Sequence, residues 1–197
     1  EKWALARTYQ SLERADIACL LINSDEGIIA QDLHIAELAL SAKTGIIIVI
    51  NKWDLAEKGE DARKSFLAAL QHKMPFLHWA PVIFTSALNK KNITQIFDNA
   101  IEIIEERNKR ISTGKLNTFL SQVTALKHPT GAKNVRPKIF YISQVDTAPP
   151  KFKIYVNHEK YFHFSYFRFI ENKLREAFGF WGTPIVLDIT SKPPKKK

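Results

Sequence analysis

Cysteine, methionine and glycine are scarce in this chain, with one, one and seven copies in 197 residues. A single thiol, Cys19, excludes an internal disulfide and fits a reducing compartment. Set within "IACLLI", it reads as a small core residue. The six histidines and that cysteine show no metal-ligand spacing such as HExxH or CxxC, so no metal ligand is proposed. Long apolar runs are missing too. The longest, residues 17–22 and 46–50, fall far short of a bilayer, so no membrane span is expected. Glu1-Lys2-Trp3 opens the chain without the basic and apolar regions of a secretory signal. Hydrophobic residues at 45% and charged residues at 25% are ordinary for a soluble globular protein, and the expected location is the cytoplasm.

What the chain does have is charge, unevenly spread. The net charge is +9. Residues 1–112 hold 14 Lys+Arg against 15 Asp+Glu, whereas residues 113–197 hold 15 against 5. A neutral half followed by a basic half predicts two modules, the second with a polyanionic partner. A solvated face and the tail "KPPKKK" account for part of that charge. Without the four lysines of the tail the second module still carries +6.

The first module alternates helical and strand patterns. Helices are predicted at 2–15, 30–43, 60–74 and 92–111 from their apolar spacing. Strands are predicted at "DIACLLI", "GIIIVI" and "PVIFT", the second a β-branched run buried on both faces. Strands separated by helices form βαβ units, hence a parallel sheet with helices on both faces. The second module reads α-β-β-α-β: helices at 115–127 and 165–178, paired strands at 136–145 and 151–157, and a last strand at 183–189. That is a small α+β domain. The predicted division is 1–112, 113–190 and a basic tail, 191–197, with the hinge in the charged stretch 106–116. No internal repeat is present.

The central strand stops at "NKWD". In an open α/β sheet, ligands sit at the carboxyl ends of the strands. A carboxylate there, Asp54, can accept from the N1–H and the N2 amine of guanine together, whereas adenine would leave it unpaired. Asn51 can tie the loop to the base and to a neighbouring loop, and the stem of Lys52 can cover the ring face. Trp53 is expected to shield the loop. "FTSAL" follows the next strand and places Ser86 and Ala87 at the neighbouring carboxyl end. There the Ala87 N–H can donate to guanine O6. NKxD and SA on successive parallel strands form the guanine-specificity pair of the GTPases.

The resemblance then narrows. "EKWALARTYQSLERADIACLLI", "DEGIIAQDLHIAELA", "VINKWDL", "SAL" and "HFSYFRFIENKLREAFGFWGTPI" resemble the C-terminal half of the Der (EngA) family of bacterial GTPases. That family has two G domains in tandem and a terminal KH-like domain. The likeness covers nearly the whole chain. It implies a partial Ras-like, P-loop NTPase G domain followed by the KH-like domain. It also implies GTP or GDP as ligand, with Mg²⁺ in the intact protein, and a role in maturing the large ribosomal subunit. The partners it implies are ribosomal RNA and a further, N-terminal G domain. The basic residues assigned to RNA are Lys133, Arg136, Lys138, Lys151 and Lys153.

The phosphate side has no counterpart in these 197 residues. A GTPase needs GxxxxGK(S/T), a switch-I Thr and a DxxG contact. The only Gly-Lys pair, Gly114-Lys115, precedes Leu116 and follows no strand. No catalytic residue or Mg²⁺ ligand is therefore assigned, and the chain is not expected to hydrolyse GTP by itself. Asn23 stands where the family has Asp, and "LNKKNI" replaces a glycine-bearing loop after Ser86-Ala87, predicting a stiffer, more basic loop. "GFWG" has the spelling of a KH GxxG loop but lies between the last helix and strand, where its bulky middle residues suit packing. Two other readings remain: an RNA- or ribosome-binding module with a vestigial G-domain scaffold, and a guanine sensor without hydrolysis.

Overall fold

A computed structural model describes residues 2–56, 59–129 and 136–191. It divides into two compact units, Glu1–Arg107 with Trp181–Pro184, and Asn108–Phe180 with Ile185–Lys197. Among the described residues no helix is long and apolar enough to cross a membrane.

The first unit holds α1 (Lys2–Arg14), β1 (Ile17–Asn23), α2 (Ala30–Ser41), β2 (Gly45–Asn51), α3 (Glu60–Lys73), β3 (Val82–Phe84) and nearly all of α4 (Thr94–Asn108). The strands form one parallel sheet in the order β1-β2-β3. β2 lies in the middle, and its five residues from Ile46 to Ile50 are at most 1% exposed. Each such side chain contributes about 1.5–3 kcal/mol by leaving water. Strand alternation divides them between two cores. Ile46, Ile48 and Ile50 pack with Ala36 and Ala39 of α2, Leu70 of α3 and Phe84. Ile47 and Val49 pack on the other face with Ile83, Ile103 of α4 and Trp181. α3 ends at Lys73 because Pro75 lacks an N–H and starts a short 3-10 turn.

Cys19 departs from the core position expected of it. It is exposed, as is Leu21 at 57%. Both lie on the β1 face shared with Ile47 and Val49, and among the described residues β1 pairs only with β2, which leaves it at the sheet edge. An apolar run says a strand is buried, not that its edge position is.

The second unit holds α5 (Thr113–Leu126), β4 (Ile139–Asp146), β5 (Lys151–Val156), α6 (Phe164–Phe178) and β6 (Val186–Ser191), the α-β-β-α-β order predicted. β4 and β5 are antiparallel, and β6 joins β5 in parallel. α5 contributes Leu116, Phe119, Leu120 and Val123 to a core with Tyr166, Ile170 and Leu174 of α6. Gly114-Lys115 falls in the first turn of α5, where the Ser112 hydroxyl caps the Lys115 N–H. The exposed edge of β4 is covered at its centre by Asn117. Its amide donates to the Ile142 carbonyl at 3.0 Å and accepts from the Ile142 N–H at 3.1 Å.

Of Tyr141 on β4 and Phe152 and Tyr155 on β5, only Phe152 enters this core, at 0% exposure. Phe152, Ile154 and Val156 are the inward set of β5, so Lys151, Lys153 and Tyr155 take the other face. Tyr141 is the cross-strand partner of Tyr155 and follows it there. In "GFWG", both bulky residues are packed. Phe180 meets Phe152 edge-on at 5.7 Å in the second unit's core, and Trp181 joins the first unit's core. Gly182 donates to the Trp79 carbonyl, and its own carbonyl accepts from Ile46 N–H, each at 2.8 Å. Two residues on either side of one peptide bond thus belong to different cores.

Candidate functional site

β2 and β3 run parallel with Ile50 opposite Phe84, so both strands deliver their carboxyl-terminal loops to one end of the sheet. Asn51 joins those loops. Its Oδ1 accepts from the Ala87 N–H at 3.1 Å and from the Thr85 hydroxyl at 3.3 Å. The Thr85 N–H donates to Ile50 at 2.8 Å, and its carbonyl accepts from the Trp53 N–H at 3.0 Å. The Asn51 and Ala87 loops are thereby held side by side. The Ala87 N–H, read from the sequence as a donor to a base oxygen, is engaged by Asn51 within the protein.

Lys52 takes a left-handed backbone, φ 59°. Its carbonyl accepts from the Ser24 hydroxyl at 2.7 Å and from the Leu55 N–H at 3.0 Å, which holds the turn against the end of β1. Its ammonium lies 3.1 Å from the Asp25 carboxylate and 3.9 Å from Glu26. The hydrogen bond from Lys52 holds the Asp25 carboxyl below its ordinary value. Asn23 donates to Glu26 at 3.0 Å, so residues 23–26 form a small polar bracket around Lys52. Ser24, Asp25 and Thr85 belong to this arrangement without a motif to mark them, but all three follow a strand's carboxyl end, Ser24 and Asp25 that of β1 and Thr85 that of β3, the criterion that singles out Asn51.

Trp53 does not shield the loop. It turns inward and meets Phe84 at 4.4 Å and Phe66 at 5.9 Å, edge-on, while the Arg63 guanidinium lies 4.5 Å from the Phe84 ring centre. An indole at a strand end reaches a core whenever the next helix presents an aromatic partner, here Phe66 of α3. Asp54 is exposed. It borders a cleft of about 530 Å³ that is also lined by Arg63, Ser86, Asn89 and Lys91.

Ser86 is 2% exposed, and its hydroxyl accepts from the Asn89 N–H at 3.1 Å. Its backbone exchanges two hydrogen bonds with Lys91, at 3.2 and 2.9 Å. Lys90 and Asn92 take positive φ, and the Asn92 amide donates to the Phe84 carbonyl at 2.8 Å. The turn after Ser86-Ala87 is therefore tight without glycine. Of the residues assigned to RNA, Arg136 and Lys138 are exposed and Lys151 and Lys153 are half-buried on β5. Lys133 and the lysine tail lie outside the described residues.

A parallel sheet flanked by helices, with these loops at its carboxyl end, followed by a small α+β module, has the architecture of a G domain joined to a KH-like domain. The chain belongs to the family described as the elongation factor Tu GTP binding domain, matched over residues 5–106. Residues 110–189 match the KH-domain-like of EngA bacterial GTPase enzymes, C-terminal. The likeness to Der extends along the whole chain. GTPase Der of Chloroflexus aggregans is 39% identical over 100% of this chain and 44% of its own length. GTPase Der of Fusobacterium nucleatum is 42% identical over 98% of this chain and 44% of its own. The chain thus spans less than half the length of these relatives. Among solved structures, Era of Aquifex aeolicus bound to GDP·AlF4⁻ aligns with a TM-score of 0.41 and 19% identity, covering 93% of this chain and 67% of Era.

Proposed function

We propose that this chain is the C-terminal part of a cytoplasmic GTP-binding protein that acts in maturation of the large ribosomal subunit. Its first unit reads the guanine base of GTP or GDP, and its basic second unit contacts ribosomal RNA. The observation that carries the reading is the Asn51 bridge, which sets the Asp54 loop beside the Ser86-Ala87 loop at one end of the sheet. In it Asp54 accepts from N1–H and the N2 amine of guanine, Lys52 lies along the ring, and Asn51, Ser86 and Ala87 fix the loops that frame it. Among the described residues no group of three His, Cys, Asp or Glu could hold a metal ion. A further G domain of the same protein remains a proposed partner.

The test uses amide NMR of the chain titrated with GDP, ADP and xanthosine diphosphate. GDP is expected to shift Lys52, Asp54 and Ala87, and ADP to leave them in place. Asp54→Asn should move the preference to the xanthine nucleotide, because an amide donates where xanthine carries a second carbonyl. Equal responses to GDP and ADP would remove the base-reading role. One observation favours a second reading, a nucleotide-independent RNA- or ribosome-binding module on a G-domain scaffold. The Ala87 N–H is already bonded to Asn51. Absence of any nucleotide response, with RNA binding retained, would select it.

A further inference from the structure

On the second unit's sheet, α5 and α6 pack against the face formed by Ile142, Phe152, Ile154 and Val156. The opposite face carries Tyr141, Ser143, Lys151, Lys153, Tyr155 and Asp188. Tyr141 and Tyr155 are stacked, ring centres 4.1 Å apart and planes 17° from parallel, and both are only partly buried. The Lys153 ammonium lies 5.8 Å from the Tyr155 ring centre. At the edge of the same sheet Lys138 lies 5.6 Å from Phe140, a ring 41% exposed. Half-exposed aromatic rings beside ammonium groups are the two chemistries that single-stranded nucleic acid needs. The rings stack on bases and the cations follow phosphates. Lysine is depleted at protein–protein interfaces, and a duplex hides its base faces.

We propose that this sheet face, opposite α5 and α6 and centred on Tyr141 and Tyr155, binds unpaired RNA bases by stacking while Lys151 and Lys153 hold the backbone. The inference rests on the RNA-contact reading above and adds the face and the kind of RNA. It differs from binding at a GxxG loop, since Phe180 and Trp181 are packed away.

The experiment measures fluorescence anisotropy of the full chain with a labelled single-stranded RNA of roughly 12 nucleotides and with a duplex of the same length. A Tyr141→Leu, Tyr155→Leu double variant should lose about tenfold in affinity for the single strand and little for the duplex. The corresponding Tyr→Phe double variant should bind as the parent does, because a phenyl ring keeps the stacking face. Circular dichroism monitors folding, since a cross-strand aromatic pair also steadies the sheet. Photocrosslinking of 4-thiouridine RNA to the unaltered chain supplies a readout independent of any variant, with crosslinks expected in residues 139–156. A folded leucine variant that binds the single strand normally, equal loss on both RNAs, or crosslinks confined elsewhere would overturn the stacking face while leaving an RNA contact standing. No binding to either RNA would overturn both.

Discussion

At the scale of single residues, the candidate site is organised by groups that bond to one another before any ligand arrives. Asn51 spends its amide oxygen on the Ala87 N–H and the Thr85 hydroxyl, and Lys52 spends its ammonium on Asp25. The second tether is readable by titration. Asp25 sits below its ordinary value of 3.8, chiefly through the hydrogen bond from Lys52. A carboxyl whose folded value is depressed contributes stability above its unfolded value and loses it as pH falls through the folded one. The Lys52–Asp25 tether should therefore be intact at neutral pH and open only below the usual carboxylate range. Carboxyl-carbon NMR should show Asp25 titrating below 3.8 in the parent chain and returning towards 3.8 in Lys52→Met. An Asp25 midpoint that ignores the substitution would mean the pair is not formed in solution.

At the scale of elements, the first unit is closed by residues far apart in the chain. α4 sends Ile103 against both Gly45 at the start of β2 and Gly182 in Trp181–Pro184. A Cβ on Gly45 would lie 2.9 Å from Ile103 Cγ2 and 3.1 Å from the Asp16 carbonyl, and one on Gly182 would overlap Ile103. Gly182 also has φ 69°, where an L side chain is strained. One turn further along α4, Arg107 is 4% exposed and donates to the Lys43 carbonyl at 3.1 Å and the Thr183 hydroxyl at 3.2 Å. Burial pulls its guanidinium below the usual arginine value, with Asp16 opposing. Gly182→Ala should accordingly cost about 1–3 kcal/mol from overpacking, with the backbone strain added. Urea unfolding of Gly182→Ala, Ile103→Ala and the double variant would check it. The double variant should lose less than the sum of the singles, because removing the Ile103 side chain vacates the space that the new methyl occupies. Strict additivity would show that Gly182 is needed for its backbone alone.

At the scale of the whole molecule, charge is the dominant asymmetry, with residues 113–197 carrying 15 Lys+Arg against 5 Asp+Glu. If that half binds RNA, counterion release should dominate the affinity. Neutralising about three to five phosphates of a single strand predicts a loss on the order of 20- to 100-fold between roughly 50 and 200 mM salt. Lys151→Glu with Lys153→Glu should weaken binding and flatten that slope without unfolding the domain, since both lysines face away from the core. A salt series of co-sedimentation with ribosomal particles, with circular dichroism as the folding control, measures this. Binding that is indifferent to salt, or complete in the double reversal, would move the contact to the first unit or to protein surfaces.

What the sequence determined by itself is whatever depends on neighbours along the chain. The β-branched run before Asn51 could only be a strand buried on both faces, and the alternation in "KFKIYV" placed Lys151 and Lys153 together on one face. The strand ends at NKWD and SA marked the loops that the structure brings together. The tertiary structure decided what depends on partners remote in sequence. Cys19 is exposed on a strand that pairs, among the described residues, with β2 alone, although the run around it is strongly apolar. Tyr155 and Phe152 occupy opposite faces by parity, but only the packing of α5 and α6 says which face is the core. Trp53 turns inward because Phe66, on the following helix, is there to receive it. The return of Trp181–Pro184 to the first unit, and the burial of Arg107 beside Thr183, have no local signature at all. Periodicity fixes the direction in which a side chain points, whereas burial is a property of what arrives from elsewhere to cover it.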